Sequence, residues 1–192
     1  LGAGTGSLGI LFLMTLMGPD QVVFLISSVP LLATFLAGGK RLQKISIFLI
    51  LLNLSVLLLH PKFVQLRMSP YKGLEAALRY PGAGHLNTYY SPFSRIDLFK
   101  SPSIRFAPGL SLRYLEPLPE QIGVSIDGGE INAITTPGGS KSLIFLEYLP
   151  SALPYEIGKR DDVLILDPKG GLQILVAAHH KAKNIYKIES NP

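Results

Sequence analysis

Four residues near the carboxyl end of the sequence have types and spacing suited to a nucleotide-derived ligand: Asp167, Gly170, Gly171 and Glu189. Gly170 and Gly171 follow an apolar run, Val163-Leu164-Ile165-Leu166, of the kind a buried parallel strand requires. They precede residues 172–181, where Leu172, Leu175, Val176 and His179 recur at helical spacing. A glycine pair between strand and helix lets the backbone approach a ligand closely, and the first helical N–H groups can face it. Glu189 follows Asp167 by roughly 20 residues, after a second β-type run at 185–188. A carboxylate there can accept hydrogen bonds from both hydroxyls of a ribose. This spacing serves an S-adenosylmethionine-type cofactor and NAD equally.

Other chemistry-bearing residues carry less. Gly4-x-Gly6-x-x-Gly9 matches the dinucleotide fingerprint, but no strand precedes it and a membrane-like run follows. Small residues packing transmembrane helices explain it better, and Gly2 and Gly6 have the GxxxG spacing. His60, His85, His179 and His180 have no second ligand at a metal-binding spacing such as HExxH, so no metal is expected. Asp161 and Asp162 read as a solvated loop, and Ser151 lacks the context of a nucleophile elbow. There is no cysteine, which removes disulfides, thiolate nucleophiles and Cys-ligated metals.

The elements that must position the glycine turn follow from the apolar pattern. The chain has 192 residues, 47% hydrophobic and 16% charged, with 18 Lys and Arg against 13 Asp and Glu. Only Asp20, Lys40, Arg41 and Lys44 are charged among residues 1–60. That third carries apolar runs at 8–17, 22–37 and 45–59. The second and third reach the roughly 17–20 residues a bilayer-spanning helix needs, and the first reads as the tail of another. The net charge of +5 splits into +2 for residues 1–60 and +3 for the rest, with no basic stripe, so nucleic-acid binding is not expected. Lys62, Arg67 and Lys72 are expected at anionic headgroups. The basic loop 38–44 and the basic residues after position 60 give opposite orientations by the positive-inside rule.

Beyond the apolar third, residues 70–79 read as a short amphipathic helix capped by Ser69 and started by Pro70. Short strands follow: residues 93–99, with Ile96 and Leu98 opposed to Arg95 and Asp97, then 124–126 and 131–135 joined by the turn Asp127-Gly128-Gly129. Residues 143–155 read as a helix. The expected fold is α/β: transmembrane segments (1–60), a juxtamembrane helix and linker (61–84), a small antiparallel β-unit (85–140), and the first β-α-β of a class I, Rossmann-like methyltransferase-type domain (141–192).

The segment VLILDPKGGLQILVAAHHKAKNIYKIESNP resembles the first cofactor-binding motif of the spermidine synthase family, and its ending at Glu189, Asn191 and Pro192 resembles the membrane-fused bacterial branch. Tyr90-Ser91-Pro92-Phe93-Ser94-Arg95-Ile96 is similar to that family's early strand, Ser125-Ile126-Asp127-Gly128 to its Leu-Asp-Gly turn, and Phe145-Leu146-Glu147-Tyr148-Leu149 to its Tyr-His-Glu helix. Ser69 to Leu74 resembles the juxtamembrane segment of the fused branch. The resemblance implies decarboxylated S-adenosylmethionine, or S-adenosylmethionine itself, as cofactor and a polyamine as acceptor. It also implies a multi-pass protein of the bacterial plasma membrane with its soluble part in the cytoplasm, with a homodimer as one assembly. Glu189 would hold the ribose, Gly170 and Gly171 would pass close to the donor, and Tyr90, Ser94, Asp127 and Glu147 would stand on the substrate side.

The sequence departs from the family pattern at four places. Asp167 and Lys169 replace glycines, Ser94 stands for a donor-contacting glutamine, and Leu146 stands for a histidine. A long side chain at 169 could obstruct the turn; equally, Asp167 could act like the acidic start of a methyltransferase motif. The family's catalytic aspartate lies beyond the second strand, so the resemblance places it past Pro192 and assigns no catalytic residue here. Residues 61–192 alone are accordingly expected to bind little ligand. The alternatives to an aminopropyltransferase are a membrane-attached methyltransferase-like protein and a degenerate, non-enzymatic relative.

Overall fold

A computed structural model describes residues 2–59, 61, 64 and 68–190. His60, Lys62, Arg67 and the Asn191-Pro192 ending lie outside the described residues. The chain divides into two compact units, Leu1–Met68 with Tyr90–Pro92, and Ser69–Tyr89 with Phe93–Pro192.

The first unit consists of helices α1 (Gly2–Leu16), α2 (Pro19–Ala37) and α3 (Lys40–Leu59). Gly4, Gly6 and Gly9 lie inside α1. Pro19 opens α2, and the Gln21 side chain accepts a hydrogen bond from the Gly18 N–H at 3.2 Å. α2 and α3 are long and apolar enough to cross a membrane, and almost none of either is buried within the protein. These two helices are consistent with membrane association. Where they meet, Asn53 Nδ2 donates to Ser27 Oγ at 2.8 Å. A side-chain bond of this kind fixes the register of two helices that apolar contacts alone would leave free to slide.

The second unit opens with α4 (Gly73–Leu78), shorter than the helix expected over 70–79. Its N-cap is Lys72, in extended conformation, and not Ser69. Lys72 Nζ donates to the Asp127 carbonyl at 2.5 Å. A four-stranded sheet follows in the order β1 (Gly84–Tyr90), β2 (Arg95–Lys100), β3 (Gln121–Ile126), β4 (Glu130–Thr135). β2, β3 and β4 are antiparallel, with Ile96 opposite Ile126 and Ile126 opposite Glu130. Asp127 and Gly128 both have positive φ (51° and 68°), and Gly129 N–H donates to the Ile126 carbonyl, so Asp-Gly makes the primed turn that its residue types favour.

Two expectations about this sheet are corrected. The segment 90–96 is not one strand: Tyr90 ends β1, Arg95 begins β2, and Ser91–Ser94 joins them. The alternation on β2 is also reversed, because Asp97 and Phe99 are fully buried while Ile96 and Leu98 are half-buried. Asp97 Oδ1 is held there by three donated hydrogen bonds, one from Thr88 and two from Arg95, with His85 Nε2 beside it.

Residues 140–155 are not one helix. A 3₁₀ segment (Ser140–Tyr148) is followed by a second (Pro150–Ala152) and then by α5 (Leu153–Ile157). The break is at Leu149, which is extended at φ −92° and ψ 145° because Pro150 disfavours a helical residue before it. Phe145, Leu146 and Leu149 nevertheless reach the core, packed with Leu172 and Val176.

The last elements are β5 (Asp162–Leu166), α6 (Leu172–His179) and β6 (Asn184–Ile188). β5 and β6 pair in parallel, Leu166 opposite Ile188, and so form the expected β-α-β unit. β5 is not buried on both faces as its apolar run suggests. Ile165 is buried, but Leu164 and Leu166 are 60% and 68% exposed, beside Tyr186 and Ile188 at 58% each.

Candidate functional site

A cleft of about 630 Å³ opens in the second unit, where the carboxyl ends of β5 and β6 face the β3–β4 hairpin. Four residues singled out from the sequence line it: Ser94, Asp127, Asp167 and Glu189. They come from the β1–β2 connection, the β3–β4 turn and the ends of two parallel strands. Half-buried Ile96 and Ile126 and buried Val124 supply an apolar wall.

Each polar group has a defined setting. The Asp127 carboxylate accepts the Arg95 N–H at 2.8 Å, and the Asp127 N–H donates back to the Arg95 carbonyl at 2.8 Å. This exchange ties the turn to the start of β2. Asp167 is left-handed (φ 51°), and its N–H continues the parallel ladder by donating to the Ile188 carbonyl at 2.7 Å. Its carboxylate accepts the Ser190 hydroxyl at 2.8 Å. That bond, against some burial and with help from the Lys169 charge, holds the Asp167 carboxyl below the usual range; the neighbouring Glu189 side chain contributes as well. Asp167 and Glu189 therefore present two carboxylates side by side at the strand ends.

Four further lining groups had no nomination as ligand contacts: Glu130, Lys169, Lys187 and Ser190. Glu130 follows the Asp-Gly-Gly turn, and Lys187 and Ser190 flank Glu189, so proximity to the nominated residues was their only signal. The Lys169 ammonium contacts the Glu130 carboxylate and stands 3.6 Å from Asp167 Oδ2. Glu130, opposed by partial burial, holds the Lys169 ammonium above its ordinary range. Lys169 adopts a left-handed backbone (φ 48°), as glycine would at the same place. Its side chain occupies the cleft rather than sealing the turn.

The remaining sequence-nominated residues lie elsewhere. Gly170 is buried, and a Cβ there would stand 2.3 Å from the Ala133 carbonyl oxygen, so its smallness serves close packing on β4. Gly171 caps α6 in the left-handed region (φ 79°) with open space around it. Neither glycine lines the cleft. Tyr90 ends β1 and is also not among the lining residues. Glu147 is exposed on the 3₁₀ segment and pairs with His179 at 3.1 Å. His180 instead stacks on Tyr155, with ring centroids 5.0 Å apart.

A second polar cluster sits under the antiparallel sheet. Asp97 Oδ1 accepts from Thr88 Oγ1 (2.6 Å) and from Arg95 Nη2 (2.8 Å) and Nε (3.1 Å), and meets His85 Nε2 at 3.0 Å. His85 lies on β1. Burial pushes the Asp97 carboxyl up, but the bonds from Arg95, Thr88 and His85 outweigh it and leave the group below the carboxylate range. The trio is not a catalytic triad. Thr88 and Asp97 both meet the same His85 nitrogen, so the ring cannot be oriented by one and activate the other. The cluster clamps β1 to β2. Among the described residues, no group of three or more His, Asp or Glu is placed to hold a metal ion.

No family model matches the chain, and no curated protein or solved structure is significantly similar to it.

Proposed function

We propose that this chain is the membrane-anchored, cofactor-binding part of a spermidine synthase-like aminopropyltransferase, with the cleft as the donor site. One observation carries the reading: Ser94, Asp127, Asp167 and Glu189, nominated from separate stretches of sequence, line a single cleft at the carboxyl ends of parallel strands. In open α/β sheets ligands bind at that end. Glu189 stands at the end of β6, where a carboxylate takes the ribose hydroxyls, and the Ile96–Val124–Ile126 wall suits an adenine or thioether. Four carboxylates against two lysines favour a cationic ligand, as decarboxylated S-adenosylmethionine and polyamines are.

The apolar α2 and α3 anchor the protein as a multi-pass species in the bacterial inner membrane. The cleft faces the cytoplasm, where the donor is made. The first step here is binding and orientation; the base that frees the acceptor nitrogen's lone pair is assigned to no residue of this chain.

A second reading, a degenerate non-enzymatic site, is favoured by Lys169 alone, whose ammonium already engages two of the four carboxylates. Calorimetry on the full-length protein in detergent separates the two. Decarboxylated S-adenosylmethionine is expected to bind, and Glu189→Gln to weaken it by about 10-fold or more, because a bond to a charged acceptor is lost. Absence of heat from both this ligand and S-adenosylmethionine would leave the degenerate reading standing.

A further inference from the structure

Lys169 is the one cleft residue that contradicts both the turn it occupies and the ligand proposed for the site. A lysine in the left-handed region is unfavourable where glycine is not. Its ammonium lies across the cleft, on Glu130 from the hairpin and near Asp167 from the strand end. The pair cross-links β4 to the β5–α6 turn. Without it the cleft would hold Asp127, Glu130, Asp167 and Glu189 against Lys187 alone. Among the described residues no three of those carboxylates are placed to hold a metal ion. Their complement is an extended organic cation, not a point ion.

We infer that Lys169 is a tethered competitor, whose ammonium fills the subsite that the ammonium group of an incoming cationic ligand must take. The inference rests on reading the cleft as a ligand site. Lysine suits the role because it is a single charge on a flexible four-carbon stem, able to swing out, whereas arginine would hold a carboxylate bidentately. The Glu130 side chain is 54% exposed and that of Lys169 24%, so solvent reaches the pair from the Glu130 side and weakens it enough to be displaced. Ligand entry then exchanges one ammonium for another. The carboxylates are never left bare, and the affinity measured is net of the exchange.

The test uses the full-length protein in detergent, with spermidine as the cationic probe and 5′-methylthioadenosine as an uncharged nucleoside probe. Lys169→Ala should bind spermidine at least 10-fold more tightly than the wild type, with the gain shrinking as salt is raised. Lys169→Arg, which keeps a cation in place, should show no gain. Glu130→Gln placed on Lys169→Ala should remove most of it. The affinity for 5′-methylthioadenosine should change less than about 3-fold, since RT ln 3 is small against the loss of a charged bond. Equal or weaker spermidine binding by Lys169→Ala overturns the inference. If the nucleoside still binds in that case, the reading of the cleft survives alone. If the nucleoside fails and spermidine gains, the tethered cation stands and the donor site does not.

Discussion

Gly170 offers the sharpest test of how the cleft is built. A Cβ at this position would stand 2.3, 2.7 and 2.9 Å from the O, C and N atoms of Ala133. All three are backbone atoms of β4, in a strand paired with β3 and opposite Gly123. Bringing the nearest contact back to 3.0 Å requires a movement of 3.0 − 2.3 = 0.7 Å, and no flexible side chain can absorb it. Gly170→Ala should therefore cost about 2 kcal/mol, inside the 1–3 kcal/mol range for overpacking and after the small gain that Gly→Ala brings through the unfolded chain. Gly171→Ala is the internal control. It meets no atom but keeps a left-handed φ of 79°, so its cost should be about 1 kcal/mol. Pulse proteolysis in urea, on the intact protein in detergent, reads both; a loss of 2 kcal/mol corresponds to about a 30-fold smaller folded-to-unfolded ratio. Gly170→Ala as stable as the wild type, or less harmful than Gly171→Ala, would refute close packing of the turn on β4.

Other expectations follow from individual contacts. Asp97→Ala should destabilise the second unit by about 3 kcal/mol, as removal of one partner from a buried charged cluster does, measured by the same urea assay. Because the Asp97 carboxyl is depressed in the folded state, its contribution is fully present above its unfolded pKa of about 3.9 and is lost as pH falls through the folded value. The wild type should thus keep this contribution from pH 7 down to about 5 and lose it below about 4, and Asp97→Asn should flatten that acid limb. Asn53→Leu should weaken the α2–α3 hairpin by about 0.6 kcal/mol, the mean for an interhelical bond in a membrane, since the Asn53 bond to Ser28 (3.5 Å) is long beside that to Ser27 (2.8 Å); steric trapping in bilayer mimetics would detect a loss above about 2 kcal/mol, which would contradict one dominant hydrogen bond.

The cleft was half legible in the sequence. Asp167 and Glu189 could be found because strand, turn, helix and strand each have their own local pattern, and the acids fall at strand ends. Asp127 could be found because Asp-Gly-Gly between two β-type runs forces a turn. Glu130 and Lys169 were not legible as partners, since 39 residues separate them and only the docking of the turn on β4 brings them together. The burial of Asp97 was hidden for a similar reason. Its partners include His85 and Thr88 from the neighbouring strand, and alternation alone assigns an aspartate to solvent. The helix expected over 143–155 failed on one local fact, Pro150, which holds Leu149 extended against the helical spacing of the apolar residues, whereas Pro154 sits in the first turn of α5 with Leu153 before it still helical. Gly170 was legible as a required glycine, but not for what. Close approach to a strand and close approach to a ligand demand the same missing Cβ.

The bare face of β5 and β6 bears on how the protein is made. Leu164, Leu166, Tyr186 and Ile188 stand outward on a pair of strands whose outer edges are unpaired among the described residues. At synthesis rates of about 5–20 residues per second, β5 leaves the ribosome about one to four seconds before its partner strand, an interval in which an apolar, β-prone segment has nothing native to pair with. Chaperones and proteases act on that timescale and on that kind of surface. Steady-state abundance in the cell should thus follow the speed with which α6 brings β6 alongside β5. Substitutions that slow this crossover would lower yield without changing the melting temperature of the molecules that complete it.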